Sequence, residues 1–211
     1  MVSSSSPGRR RVVEALWRTI ARAGVAGISV RTVAAEAGVT GGTVQHHFPT
    51  RGEMIRFAME LIAEQVEERL VAMPRTGPVP QWTRQILLEL LPLGAARRQE
   101  FNIWLAFTVH AATDPDLTEL KRQTSARLLQ LNRNIARARW GGTLAATEST
   151  IAGPAEHAAV DLEQEAILLQ AVIDGLSLHL AEMDIEEAAI AGPRLLDQYL
   201  ASVDQRLHRL E

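Results

Sequence analysis

Apolar residues return at three- and four-residue spacing along most of the chain, the period of a helix with one buried face. From Arg9 to Ala23, Val13, Leu16, Trp17 and Ile20 stand at i, i+3, i+4 and i+7 with arginines between them. Gly24 and Gly27 close the helix that this predicts. Ser29 stands where an N-cap belongs, ahead of the short segment VRTVAAEA, which stops at Gly38. Val39 makes a turn, Thr40 caps the next short helix to about His47, and Phe48-Pro49 interrupts the chain. Thr50-Arg51-Gly52-Glu53 then has the S/T-x-x-E pattern of a capping box and opens a long helix to about Met73.

Past the linker PRTGPVP (74–80), the same periodicity predicts helices over about 81–92, 97–112, 116–140 and 160–183. Pro193 suits the first position of a last helix reaching Arg209, and the Gly-, Ala- and Thr-rich residues 141–159 read as a loop. No convincing period-2 segment and no internal repeat appears. The expected fold class is therefore all-α, with about nine helices.

Composition narrows the functions. At 46% apolar the chain has enough for a packed core, and zero cysteines exclude a disulfide scaffold, a thiolate zinc site and a cysteine nucleophile together. No run of about 18 apolar residues exists, so no membrane span is expected. The start MVSSSSPGRRR is followed by VVEALWRTIAR, whose charges deny it the apolar core of a signal peptide; the expectation is a cytoplasmic protein. Charge is uneven. Residues 1–51 carry seven arginines against Glu14 and Glu36, a net +5, while the remainder carries 15 basic and 23 acidic residues, a net −8. A basic head on an acidic body suggests that the head meets a polyanion.

The second and third short helices carry the informative motif. Ala34, Gly38 and Val44 stand at relative positions 1, 5 and 11. A helix-turn-helix needs a small residue where two helices cross, a glycine entering the turn, and an apolar residue tucking the second helix onto the first. The stretch GISVRTVAAEAGVTGGTVQHHFPTRGEMI resembles the DNA-binding domain of TetR/AcrR-family transcriptional regulators, over about residues 9–60. Their pattern there is a capped helix, A-G-V, a recognition helix ending in an aromatic or histidine pair plus Phe, then S/T-K/R-x-E-L. Further on, FNIWLAFTVHAATDPDLTELKRQ and AVIDGLSLHL resemble the C-terminal ligand-binding and dimerisation domain of the BetI-like branch.

The resemblance implies a helix-turn-helix domain with a basic N-terminal arm over 1–50, a connecting helix over 51–73, and an effector-binding and dimerisation domain over 74–211. It implies a homodimer on a palindromic double-stranded operator, most often a repressor released by a small-molecule effector. The residues add their own case. Val44 and Phe48, four apart, face inward and leave Thr43, Gln45, His46 and His47 for solvent or a groove. Gln reads adenine in bidentate fashion, Thr packs on a thymine methyl or bonds phosphate, and imidazoles reach bases or phosphates. Thr40 at a helix N-terminus is a candidate phosphate clamp, Arg31 and Arg51 bracket the backbone, and Arg9, Arg10 and Arg11 form an arm for phosphates or a minor groove. Each has a plain structural alternative: solvated Gln45 and Thr43, a half-buried His47 beside Phe48, Arg51 paired with the helix beyond. Gly41-Gly42 stands where relatives often have Pro, Ser or Arg, and either weakens the helix start or allows close approach of backbone to DNA.

In the body, Leu196, Tyr199, Leu200 and Val203, with Leu169, Val172, Ile173 and Leu180 on the helix before, recur at helical spacing. By resemblance the two helices pair with their mates across a dimer interface; burial within one subunit is the alternative. Also by resemblance, the middle helices enclose an effector pocket, for which Trp82, Phe101, Trp104, Phe107, His110, Trp140 and Asp174 are candidates. An aromatic cage with Asp174 nearby suits a cation such as a quaternary amine, although tryptophans at this spacing also serve as core. The chain lacks H-E-x-x-H, a phosphate loop and G-x-S-x-G, and its histidines (46, 47, 110, 157, 179, 208) show no i, i+4 metal spacing. The expectation is a non-enzyme with no cofactor or metal. A competing reading is a small-molecule-binding helical protein whose head is a degenerate DNA reader.

Overall fold

The computed structural model describes residues 7–24, 27–150 and 162–208. These residues form α1 (Pro7–Ala23), α2 (Val30–Ala37), α3 (Gly41–His47), α4 (Arg51–Ala72), α5 (Val79–Glu89), α6 (Ala95–Ala111), α7 (Pro115–Thr150), α8 (Leu162–Glu182) and α9 (Ile185–His208). No strand occurs among the described residues, and the all-α reading holds.

The chain divides into two compact units. The first comprises Met1–Glu68 and Gln99–Thr124. Its core joins Val12, Leu16, Val33, Val44, Phe48, Met54, Ile55 and Ala58 with Ile103, Phe107, Ala111 and Leu117. The helix-turn-helix therefore shares one apolar interior with most of α4, with α6 and with the start of α7. Packing draws this boundary elsewhere than the expected divisions at residues 50 and 73, because α6 buries Ile103, Phe107 and Ala111 against the head.

Local signals explain the ends of the short helices. Ser29 accepts from the Thr32 N–H at 3.1 Å while the Thr32 hydroxyl accepts from the Ser29 N–H at 2.9 Å, a complete capping box. Gly38 ends α2 at φ +64°, where a side chain is strained, and the Val39 N–H returns to the Ala34 carbonyl at 3.0 Å. Thr50 accepts from the Glu53 N–H at 3.1 Å and starts α4.

The second unit comprises Arg69–Arg98 and Ser125–Glu211. Its helices are cross-linked by arginines. Arg84 of α5 forms a two-pronged pair with Asp197 of α9, Arg133 of α7 does so with Glu163 of α8, and Arg139 of α7 with Asp204 of α9. Arg98 donates to the Leu180 and Met183 carbonyls at the C-terminal end of α8, where the Leu180 carbonyl also accepts from the Met183 N–H at 3.3 Å. Gly192 sits in close packing: a Cβ there would press against the side-chain ends of Leu93 and Leu180, which would have to shift.

Two expectations change. α9 begins at Ile185 and runs through Pro193, which lies inside the helix. The Asp184 backbone carbonyl accepts the first helical bond from the Ala188 N–H at 2.9 Å, and Glu186 and Glu187 favour the first turn through the helix dipole, which offsets part of the cost of one missing N–H. α7 continues past Gly141 to Thr150, so the first part of the expected 141–159 loop is helical. The rest of that loop, 151–159, lies outside the described residues, as does Arg209 at the end of the last helix.

Candidate nucleic-acid interface

The recognition helix is seven residues long and is placed by its buried side. Val44 is fully buried, Phe48 closes the helix with its N–H 2.8 Å from the Val44 carbonyl, and Ala34 is buried on α2. Gly38 sits in the turn between them, so all three motif positions do what their residue types suggested. With Val44 inward, Gln45 and His46 are exposed, and Thr43 and His47 are half-buried. The His46 and His47 rings meet edge to face at 5.3 Å, which limits the directions either can take. Thr40 accepts from the Thr43 N–H at 3.2 Å, and the two hydroxyls share a 3.0 Å hydrogen bond. Thr40 is thus first a helix cap. Gly41 and Gly42 are not forced by packing, since a Cβ would find Val30 at 3.5 Å and Thr40 at 3.9 Å, ordinary contacts.

The arginines divide into those facing solvent and those committed inside the unit. Arg31 on α2 and Arg10 and Arg11 on α1 are exposed, with Arg10 3.3 Å from Glu14. Arg18 donates to Glu36 at 2.8 Å and Arg22 lies 3.4 Å from it. The Arg18 hydrogen bond, aided by Arg22, holds the Glu36 carboxyl below the usual carboxylate range. Arg51, expected to bracket the DNA backbone, is held by contacts inside its unit. Its Nε donates to the Ile28 carbonyl at 3.0 Å and its Nη1 lies 3.0 Å from His110 Nε2, the internal alternative the sequence left open. Arg9 also departs from the arm assignment. α1 begins at Pro7, so Arg9 is helical, half-buried, and stacked on aromatic rings.

The expected effector residues fall in both units. Phe101, Trp104, Phe107 and His110 belong to the first. Trp104 packs against the head core, 5.8 Å from the ring of Phe107, which is fully buried. Trp82, Trp140 and Asp174 belong to the second. Trp82 is half-buried, whereas Trp140 is 2% exposed and its Nε1 donates to Asp204 at 2.8 Å. Phe107 and Trp140 are therefore core residues, as their helical spacing equally allowed. Asp174 lies at the surface of its unit and accepts from Gln170 Nε2 at 3.0 Å; neighbouring atoms desolvate its carboxyl and push it above the ordinary carboxylate range. Gln170 in turn accepts from the buried Asn132 at 2.7 Å, a polar ladder that periodicity alone did not reveal.

The residues expected at the dimer interface are packed within one chain, the alternative the sequence left open. Leu169, Ile173, Leu180, Leu196, Leu200 and Val203 are all at most 3% exposed within the second unit, where α8 and α9 face each other. Val172 and Tyr199 are half-buried, and desolvation together with the negative charge of Glu165 pushes the Tyr199 hydroxyl up to about 12. The large apolar residues that the same helices expose are Ile167, Leu168 and Leu178 on α8 and Ile185 and Ile190 on α9. A period-3.6 stripe marks burial without saying against what.

Residues 12–58 match the family described as bacterial regulatory proteins, tetR family, and residues 80–205 match the BetI-type transcriptional repressor C-terminal domain. The HTH-type transcriptional regulator PksA of Bacillus subtilis (strain 168) is 32% identical over 172 residues, 81% of this chain and 77% of that protein. The chain belongs to the TetR family of bacterial regulatory proteins. It is a transcriptional regulator with an N-terminal DNA-binding domain and a BetI-type domain following. Among solved structures of the TetR fold, a transcriptional regulator from Rhodococcus sp. Rha1 superposes with TM-score 0.70 at 30% identity, covering 93% of this chain and 97% of that one. A transcriptional regulator from Saccharomonospora viridis, solved in complex with choline, superposes with TM-score 0.74 at 21% identity and the same coverages. The family and these relatives are regulators of transcription, and no helix among the described residues is long and apolar enough to cross a membrane.

Proposed function

We propose that this TetR-family regulator acts as a homodimeric repressor that reads a palindromic operator with α3 and leaves it when a small-molecule effector binds. The observation that carries the reading is the exposure of Gln45 and His46 on a helix fixed by buried Val44 and Phe48, beside exposed Arg31 and Arg10. Gln45 is the base reader. Thr43, His46 and His47 make further groove contacts, and Arg10, Arg31 and Thr40 approach the phosphates. Seven residues offer few base contacts, so a second copy is needed to double them. Two recognition helices about 34–36 Å apart match successive turns of one face of DNA.

The dimer face we assign is the exposed side of α8, with Ile167, Leu168 and Leu178 as its apolar centre. Effector release runs through α6, whose His110 touches Arg51 at the first residue of α4. Displacing α6 disturbs that contact and with it the seat of the head. A coupling of about 1–3 kcal/mol changes DNA affinity 5–150-fold. The choline bound by the Saccharomonospora viridis protein makes organic cations the first effectors to screen.

Selection from a random duplex library at moderate salt tests the proposal. Enrichment of a palindrome with half-sites one helical turn apart is the expected result. Recovery of no common sequence, even at low salt, would leave the reading of a degenerate head in its place.

A further inference from the structure

Arg9 stands apart from the other head arginines. Its guanidinium carbon lies 4.3 Å from the centroid of the Phe57 ring and 5.5 Å from that of Phe48. The two rings are 5.2 Å apart and tilted by 50°, so they form a shallow aromatic seat. Arg9 Nε is shut off from solvent, and Phe48 is 2% exposed. One side chain thus joins three elements: the first turn of α1, the C-cap of α3 at Phe48, and the second turn of α4 at Phe57. The neighbouring residue reinforces the placement, because a Cβ on Gly8 would lie 3.4 Å from His47 Nε2. The start of α1 therefore runs directly against the end of the recognition helix.

We infer that Arg9 is a positioning residue for DNA reading: stacked on Phe57 and Phe48, it fixes the C-terminal end of α3 and makes no phosphate contact. A planar, weakly hydrated guanidinium is suited to such stacking, and a lysine ammonium less so. α3 is held from beneath by Val44 and at its end by Phe48, so a loosened Phe48 lets the helix rock about Val44. Gln45, His46 and His47 lie between those two points and lose their fixed direction. The charge of Arg9 is used inside the protein, and the salt dependence of DNA binding comes from the exposed arginines instead.

The inference rests on the proposed reading of DNA by α3, and one set of measurements separates the two. Affinity of the full-length protein for its selected operator duplex is measured against salt for wild type, Arg9→Met, Arg9→Lys, Phe57→Leu and the Arg9→Met/Phe57→Leu double variant. All are measured at a temperature where circular dichroism shows each folded. Arg9→Met and Phe57→Leu are each expected to weaken binding on the order of tenfold at every salt concentration. The two lines stay parallel to wild type, the double variant is no weaker than either single one, and Arg9→Lys recovers part of the loss. A slope of log affinity against log salt shallower by about 0.9 per protomer in Arg9→Met marks a direct phosphate contact and overturns the inference. Unchanged affinity in folded Arg9→Met and Phe57→Leu overturns it as well, leaving a purely structural stack. If Arg9→Met does not fold, Arg9→Lys and Phe57→Leu carry the same comparison. Wild-type protein that binds no duplex in a salt-dependent way defeats the DNA reading itself.

Discussion

Arg51 Nη1 lies 3.0 Å from His110 Nε2, so the first residue of α4 is joined to the last turn of α6 across 59 positions of sequence. A guanidinium has no acceptor atom, so Nε2 must supply the lone pair and Nδ1 the proton in neutral His110. Nitrogen NMR should find the Nδ1-protonated tautomer in the neutral ring. A double-mutant cycle of Arg51→Met and His110→Phe should return a coupling of about 1 kcal/mol in urea unfolding. A coupling near zero would remove the proposed route from α6 to the head.

The opposite faces of α8 give a sharp contrast. Leu168→Glu and Leu178→Glu replace exposed apolar side chains and should convert the proposed dimer to monomer in sedimentation, with little effect on the fold. Leu169→Ala, one position away and fully buried, should instead lower stability by about 2–5 kcal/mol. Monomer formation by neither Glu variant would move the dimer interface off this face.

Asp174 yields a pH prediction. Desolvation raises its folded-state pKa above the unfolded value, partly offset by the Gln170 hydrogen bond. The folded state therefore holds the proton more tightly, and its ionised form costs stability once pH rises through that raised pKa. Asp174→Asn keeps an oxygen for Gln170 to donate to. It should stabilise the protein at neutral pH, with the gain shrinking as pH falls towards the ordinary carboxylate value. A gain that grows on acidification contradicts this assignment.

Gly42 is exposed, has ordinary backbone angles, and leaves room for a methyl group. Gly42→Ala should raise stability by up to about 1 kcal/mol. The same variant should weaken operator binding, because the proposed close approach of backbone to DNA leaves no space for a Cβ. Tighter binding would assign the glycine no role in the complex.

Much of the head was legible because its determinants are local. Ser29, Gly38, Thr40 and Thr50 act within four residues of themselves, so caps and turns could be read without tertiary information. Arg9, Arg51 and Trp140 were not legible in that way. Their partners, Phe57, His110 and Asp204, lie 48, 59 and 64 positions away, and an arginine near a basic N-terminus looks the same whether it meets phosphate or an aromatic ring. The α8 and α9 stripes were ambiguous for another reason. Leu169 and Leu196 repeat correctly for burial, but spacing does not say against what, and the proposed partner face rests on the less regular set of exposed Ile167, Leu168 and Leu178. Pro193 misled because a proline at N1 is common, while the acidic first turn eight residues earlier starts α9.

The most direct test of the central claim compares wild type with Gln45→Ala on the selected operator and on duplexes substituted one base pair at a time. The account predicts that the variant loses about 1–3 kcal/mol on the intact site, becomes indifferent to one A·T pair in each half-site, and keeps the wild-type salt slope. A variant that discriminates among all the duplexes as wild type does would contradict the claim that α3 reads the operator through Gln45.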